Sequence, residues 1–230
     1  HIPFCRKACH YCDFHFSTNL SNQSTFTKAI CEEIKKRKKD FTGSFNSIYF
    51  GGGTPSILTL AELEKIMNQL FVYVDSSQIQ EVTIEVNPED ISVELLRGYQ
   101  ELGINRLSIG VQSLDDKILS WMNRNHSSKK AITAINQAKE LGIENISVDF
   151  IYGVPNFPKR NISNELHQLL NNSPFHISCY HFTIEEKTYF GWLNKQEKLA
   201  ELNDLKSEKE FKLITQTLEQ KGYDHYEISN

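Results

Sequence analysis

Five short apolar stretches, Ser47–Phe50, Val82–Val86, Arg106–Val111, Ile146–Tyr152 and His176–Phe182, recur along the chain with a helical pattern after each of the first four. Most are rich in β-branched residues, as buried parallel strands are. The helical patterns cover Ser24–Lys39, Leu60–Tyr73, Val93–Leu102, Lys129–Leu141 and Asn161–Asn171, with a further helix at Lys206–Gln220 and a last strand near Tyr223–Ile228. An internal echo supports the alternation: Glu101-Leu102-Gly103-Ile104 returns as Glu140-Leu141-Gly142-Ile143, 39 residues on, with each glycine where a helix C-cap belongs. Such a β, α, β, α order closes as a barrel or spreads as a doubly wound sheet, and in both the ligand site lies at the C-terminal ends of the strands.

At 230 residues and 39% hydrophobic content the chain can bury one large core, and no low-complexity linker divides it, so residues 1–230 read as one domain. The opening His1-Ile2-Pro3-Phe4 resembles the end of a strand whose start is missing, as in an excised piece. A net charge of -4 offers nucleic acid or an anionic membrane no global attraction, and Lys35–Lys39 reads as a solvated helix end. No apolar run approaches the length of a membrane span and no secretory leader is visible, so the expected location is the cytoplasm.

Three of the five cysteines fall in Cys5-x3-Cys9-x2-Cys12, directly after that first apolar segment. Three thiolates in one loop can converge on a metal centre and leave one position without a protein ligand. The alternatives are a Cys3His zinc site completed by His10 or His15, or three unrelated buried cysteines. Cys31 and Cys179, on a helix and a strand, read as packing residues. Gly51-Gly52-Gly53-Thr54-Pro55 follows the strand Ser47–Phe50, where glycines let a backbone approach a ligand closely. Glu85, Gln112, Arg124 and Asp149 end or leave successive strands, where charges and amides are costly unless partnered. Arg124 offers a planar donor fork for a carboxylate, and the other three offer acceptors for hydroxyls or an amino group. An ion pair of Arg124 with Glu85 or Asp149 is the bland alternative. His176 and His181 lie on opposite faces of one strand and read as satisfied histidines rather than joint ligands.

The C-x3-C-x2-C loop resembles the radical S-adenosylmethionine (SAM) superfamily, whose usual fold is a partial (β/α)6 barrel. That resemblance implies a [4Fe–4S] cluster on Cys5, Cys9 and Cys12 and SAM bound at its open iron. Gly52, Gly53 and Thr54 would then lie near SAM's methionine, with Glu85, Gln112, Arg124 and Asp149 in the SAM pocket and Tyr11 either against adenine or packed in the core. The motifs Gly51–Pro55, Asn105-Arg106-Leu107-Ser108-Ile109-Gly110-Val111-Gln112-Ser113, Asp149-Phe150-Ile151-Tyr152-Gly153-Val154-Pro155 and Tyr226-Glu227-Ile228-Ser229-Asn230 narrow it. They resemble the oxygen-independent coproporphyrinogen III oxidase family and its heme-chaperone (HemW-type) relatives, which usually carry a further C-terminal region. The oxidase branch usually continues its motif as C-x3-C-x2-C-x-C, whereas Cys12 is followed here by Asp13-Phe14. The carrier branch is therefore favoured, which implies heme binding and delivery to a respiratory acceptor protein at the membrane. The alternative is an oxidase that decarboxylates porphyrinogen propionates with a 5′-deoxyadenosyl radical. Either use of the cluster implies an electron donor such as a flavodoxin or ferredoxin, and nucleic acid is not an expected partner.

Overall fold

The computed structural model describes residues 1–227. Its centre is a five-stranded sheet of β1 (Ser47–Phe50), β2 (Glu81–Val86), β3 (Arg106–Gln112), β4 (Asn145–Tyr152) and β5 (His176–His181), in the order β1-β2-β3-β4-β5. Every neighbouring pair is parallel. The helices are α1 (Gln23–Lys36), α2 (Leu60–Phe71), α3 (Val93–Glu101), α4 (Asp116–Trp121), α5 (Ser128–Glu140), α6 (Ile162–Leu170), α7 (Tyr189–Lys195) and α8 (Asp204–Gln220).

Strand order decides between the two architectures. A doubly wound sheet reverses its order at a switch point, and this one never does. Crossovers between parallel strands are right-handed almost without exception, so an unreversed order puts the connecting helices on one face and curls the sheet around the other. The result is a partial, open barrel.

The strands alternate in a way that their apolar character does not announce. Their convex face, towards the helices, carries Ile84, Leu107, Ile109, Ile146, Val148 and Phe150, all fully buried. The concave face carries Glu81, Thr83 and Glu85 on β2, Ser108 on β3 and Asn145, Ser147 and Asp149 on β4. These polar groups find partners on the same face: along β2, Thr83 Oγ1 donates to Glu81 at 3.0 Å, and across the strands Arg106 donates to Glu81 at 3.1 Å and Ser147 Oγ and His176 Nδ1 are 2.8 Å apart.

Local signals account for the helix ends. Thr59 and Glu62 form a reciprocal capping box at the start of α2. After α3, Gly103 takes φ +78°, its N–H donates to Gln100 O at 3.0 Å, and the Ile104 N–H donates to Tyr99 O at 2.9 Å. Gly142 ends α5 with the same pair of bonds, so the echoed tetrapeptide is a repeated Schellman stop. The short helices α4 and α7 escape the sequence pattern because they span too few turns to show a period. The expected strand near Tyr223–Ile228 does not form over Tyr223–Glu227, and Ile228 lies outside the described residues. The lysine run behaves as a solvated end: α1 stops at Lys36, with Lys35 and Arg37 paired to nearby exposed carboxylates. No helix among the described residues is long and apolar enough to cross a membrane.

Leu107 sits mid-sheet on the convex face with no exposure. Leu107→Ala should lower the unfolding free energy by about 3 kcal/mol, seen as a lower urea midpoint at unchanged slope. A loss under about 1 kcal/mol would mean that this face is not closely packed.

Candidate functional site

The cysteine loop is mounted on the sheet by backbone bonds that only glycine permits. The Ile2 N–H donates to Gly51 O at 2.7 Å and the Gly53 N–H donates to Ile2 O at 2.8 Å, which lays the N-terminal segment parallel to the end of β1. A Cβ at Gly52, whose φ is +126°, would stand 2.8 Å from Ile2 N, and one at Gly53 would stand 2.8 Å from Phe4 O and 2.9 Å from Cys5 Sγ. Neither distance is tolerable for a side chain. The close approach that these glycines allow is therefore, first, to the chain's own Ile2–Cys5 segment. Their amides are already committed, since the Gly52 N–H donates to Glu85 Oε2 at 2.9 Å.

Beyond Cys5 the loop is tied at remote points. Arg6 Nε donates to Asp90 Oδ1 at 2.7 Å, and Asp90 in turn accepts from Ser56 Oγ at 2.7 Å. Asn123 Nδ2 donates to Ala8 O at 2.6 Å. The His10 N–H donates to Met122 O at 3.1 Å, and its ring Nδ1–H donates to Trp121 O at 2.8 Å. His10 is thus a structural residue packed on Tyr189. Among the described residues no three His, Cys, Asp or Glu side chains are gathered to hold one metal ion.

A cavity of about 560 Å³ opens at the C-terminal ends of the strands. Cys5, Cys9, Cys12, Tyr11, Gly52, Gly53, Thr54, Glu85, Gln112, Arg124 and Asp149 all line it. A larger cleft of about 1050 Å³, beyond β5 and against α8, contains none of them. Arg124 forms no ion pair with Glu85 or Asp149. Its Nη2 donates to Asn87 Oδ1 at 2.6 Å and to Gly110 O at 2.7 Å, and its Nη1 donates to Cys9 Sγ at 3.5 Å. Its buried Nε has no partner among the described residues. Thr54 Oγ1 donates to Cys5 Sγ at 3.5 Å and accepts from Asn87 Nδ2 at 3.1 Å. Tyr49 OH donates to Glu85 Oε1 at 2.8 Å. Tyr11 both lines the cavity and packs on the apolar cluster around Phe182 and Phe190. His176 lies away from the cavity with Ser147 and Tyr226, whereas His181, whose Nε2 is 2.9 Å from Ser207 Oγ, also lines it.

Burial in the cavity disfavours negative charge. Burial, then the neighbouring thiols, push Cys12 up to about 11, and burial also raises Cys5. Burial and the nearby Glu85 carboxylate push Asp149 up to about 7, with Arg124 offsetting part of the effect.

The radical SAM superfamily model matches residues 1–169, which carry the cysteine loop and four of the five strands. This chain belongs to the radical SAM superfamily. Radical SAM proteins imply a [4Fe–4S] cluster and SAM. The chain is 34% identical to the heme chaperone HemW of Bacillus subtilis over its whole length, covering 62% of that protein. It is 37% identical to the heme chaperone HemW of Synechocystis sp., covering 57% of it. Among solved structures, coproporphyrinogen III oxidase (HemN) from Escherichia coli, a radical SAM enzyme, superposes with a TM-score of 0.85 at 26% identity, over 97% of this chain and 52% of that one. The chain thus spans about 60% of the length of these chaperone relatives.

The residues present suit a radical SAM cluster. Three thiols line one cavity, two of them already accept hydrogen bonds, and a cationic centre would draw off the protons that burial makes hard to lose. Sequence reasoning missed Asn87, which bridges Arg124 and Thr54, and the Arg6–Asp90–Ser56 and Asn123–Ala8 ties. No local pattern could have joined positions so far apart in the chain.

Asp149 generates a test. An acid raised from 3.8 to about 7 keeps its proton in the folded state after the unfolded chain has lost it. Stability must therefore fall as pH rises from the ordinary carboxyl range to about 7 and stay level above that. Urea denaturation of the SAM-free protein at pH 5 and pH 8 should show this loss, and Asp149→Asn should reduce it; equal pH dependence in the two proteins would contradict the assignment.

Proposed function

We propose that residues 1–230 are the radical SAM core of a heme chaperone, with a [4Fe–4S] cluster on Cys5, Cys9 and Cys12 and SAM held against Tyr11, Gly52, Gly53, Thr54, Glu85, Gln112, Arg124 and Asp149. The observation that carries this reading is the shared cavity: residues spread from Cys5 to Asp149 in sequence line one space at the strands' C-terminal ends. Arg124, whose guanidinium lines the cavity, is the donor for SAM's carboxylate. Glu85, Gln112 and Asp149 supply partners for the ribose hydroxyls and the amino group, and Tyr11 offers a flat face to adenine. Arg124 and Thr54, donating to Cys9 and Cys5, tune the cluster through its sulfurs. The bound cluster supplies one-electron chemistry towards SAM, and the chain orients the two and keeps water away.

Two observations support a carrier over an oxidase. Cys12 is followed by Asp13-Phe14, without the further cysteine of the oxidase motif, and the Bacillus subtilis and Synechocystis relatives that align over the full chain are heme chaperones. The fold does not separate the two, since the solved oxidase shares it. In this reading heme is cargo, delivered to a respiratory protein, with a flavodoxin or ferredoxin as electron source; the protein is cytoplasmic and meets the membrane only through its partner.

The test is anaerobic reconstitution with iron and sulfide. About four irons and an EPR signal perturbed by SAM are expected, both lost in Cys9→Ala. Heme should then bind and pass to an acceptor, with coproporphyrinogen III untouched. Zinc in place of iron would sink the cluster assignment, and decarboxylation at an enzyme-like rate would replace the carrier with the oxidase.

A further inference from the structure

Gln112 stands in a conformation that its own chemistry opposes. Its φ is +65°, and the Ser113 N–H donates to Val111 O at 2.8 Å, so Gln112 is the centre of a γ-turn of the rare, strained hand. At the same point the pairing of β3 with β4 slips, as Gly110 faces Asp149 while Gln112 faces Phe150. A strained non-glycine residue persists only where its surroundings over-determine it. Here the next two residues are gripped by one buried carboxylate. Glu165 Oε2 accepts from Ser113 Oγ at 2.5 Å and from the Leu114 N–H at 2.7 Å. Arg160 completes the grip, its Nε donating to Oε1 at 2.7 Å and its Nη2 to Oε2 at 3.2 Å. Both side chains are almost fully buried, at 2% and 5% exposure. The guanidinium also lies 5.1 Å over the ring of Phe150, the residue that faces Gln112 across the sheet.

We propose that the Arg160–Glu165 pair is the positioning element for Gln112: by clamping Ser113 and Leu114 it holds the γ-turn that directs Gln112 into the cavity, and so sets the affinity for SAM. This rests on the reading that Gln112 contacts SAM. A buried ion pair is weak evidence for stability, since apolar residues often replace one without loss. This one is spent on the two positions after the strained residue. It also joins the loop that follows β3 to the stretch between β4 and α6, so residues from two strand ends are set by one clamp.

The experiment is a double-mutant cycle in the whole reconstituted protein, with SAM affinity read from the SAM-dependent change in the cluster's EPR signal and with iron and sulfide assayed in each variant. Glu165→Gln keeps the volume and loses the charge; it should weaken SAM binding about tenfold at unchanged iron content, a coupling of the size found within one network. In a Gln112→Ala background the same substitution should add nothing. Full additivity of the two, or wild-type SAM affinity in Glu165→Gln beside a weakened Gln112→Ala, overturns the clamp and leaves the SAM site standing. Normal SAM affinity in Gln112→Ala removes Gln112 from the site and the clamp's role with it. Should Glu165→Gln not fold, Ser113→Ala takes its place in the cycle: it removes one bond of the clamp, and additivity or its absence then decides in the same way.

Discussion

Every strand of the sheet is parallel to its neighbours and the order never turns back, so the helices gather on one side and the sheet bends away from them. All else in the molecule follows from that asymmetry. The convex side can be paved with Ile84, Leu107, Ile146 and Phe150 because helices cover it. The concave side has no such cover, and its side chains must find partners in one another or in something bound. Glu81 with Arg106, and Glu85 with Tyr49 and the Gly52 amide, are the internal half of that solution. Arg124 and the proton-retaining carboxyl of Asp149, both lining the cavity, belong to the other half.

Most of the architecture is legible in the order of the residues. All five strands stand where short apolar runs put them, within a residue at each end, because a strand buried against helices must be apolar at every second position. The choice of barrel over doubly wound sheet is not legible in the strand and helix pattern, since it depends on which strands pair; it comes only through the resemblance that the cysteine motif carries, which the strand order bears out. The polar inner positions are partly hidden for a related reason. Thr83, Ser108 and Ser147 look like tolerated small residues until the sheet is curled and they share one face.

The site divides in the same way. Although Arg124 proves to follow α4 and Asp149 to lie within β4 rather than at strand ends, the cysteine loop, the glycines and the polar residues Glu85, Gln112, Arg124 and Asp149 can be read because each is a local departure from what a strand or turn requires. Their supports cannot. Asp90 means nothing beside Pro88 and Glu89 until Arg6 reaches it, and Glu165 is an ordinary helical glutamate until Ser113 and Leu114 are found against it. The glycine loop differs again. Its lack of side chains reads as room for a ligand, and the room is first filled by the backbone that brings the cysteines in.

That arrangement gives the N-terminal segment a second task. Just beyond β1, the segment lying against Gly51–Gly53 pairs backbone groups that would otherwise stand open. Unpaired strand edges are templates on which other chains can add. Pairing of these groups and mounting of the thiols thus depend on the same few peptide bonds, so a cysteine loop that came adrift would also leave them open. Seating of the loop completes the end of the sheet as well as the site.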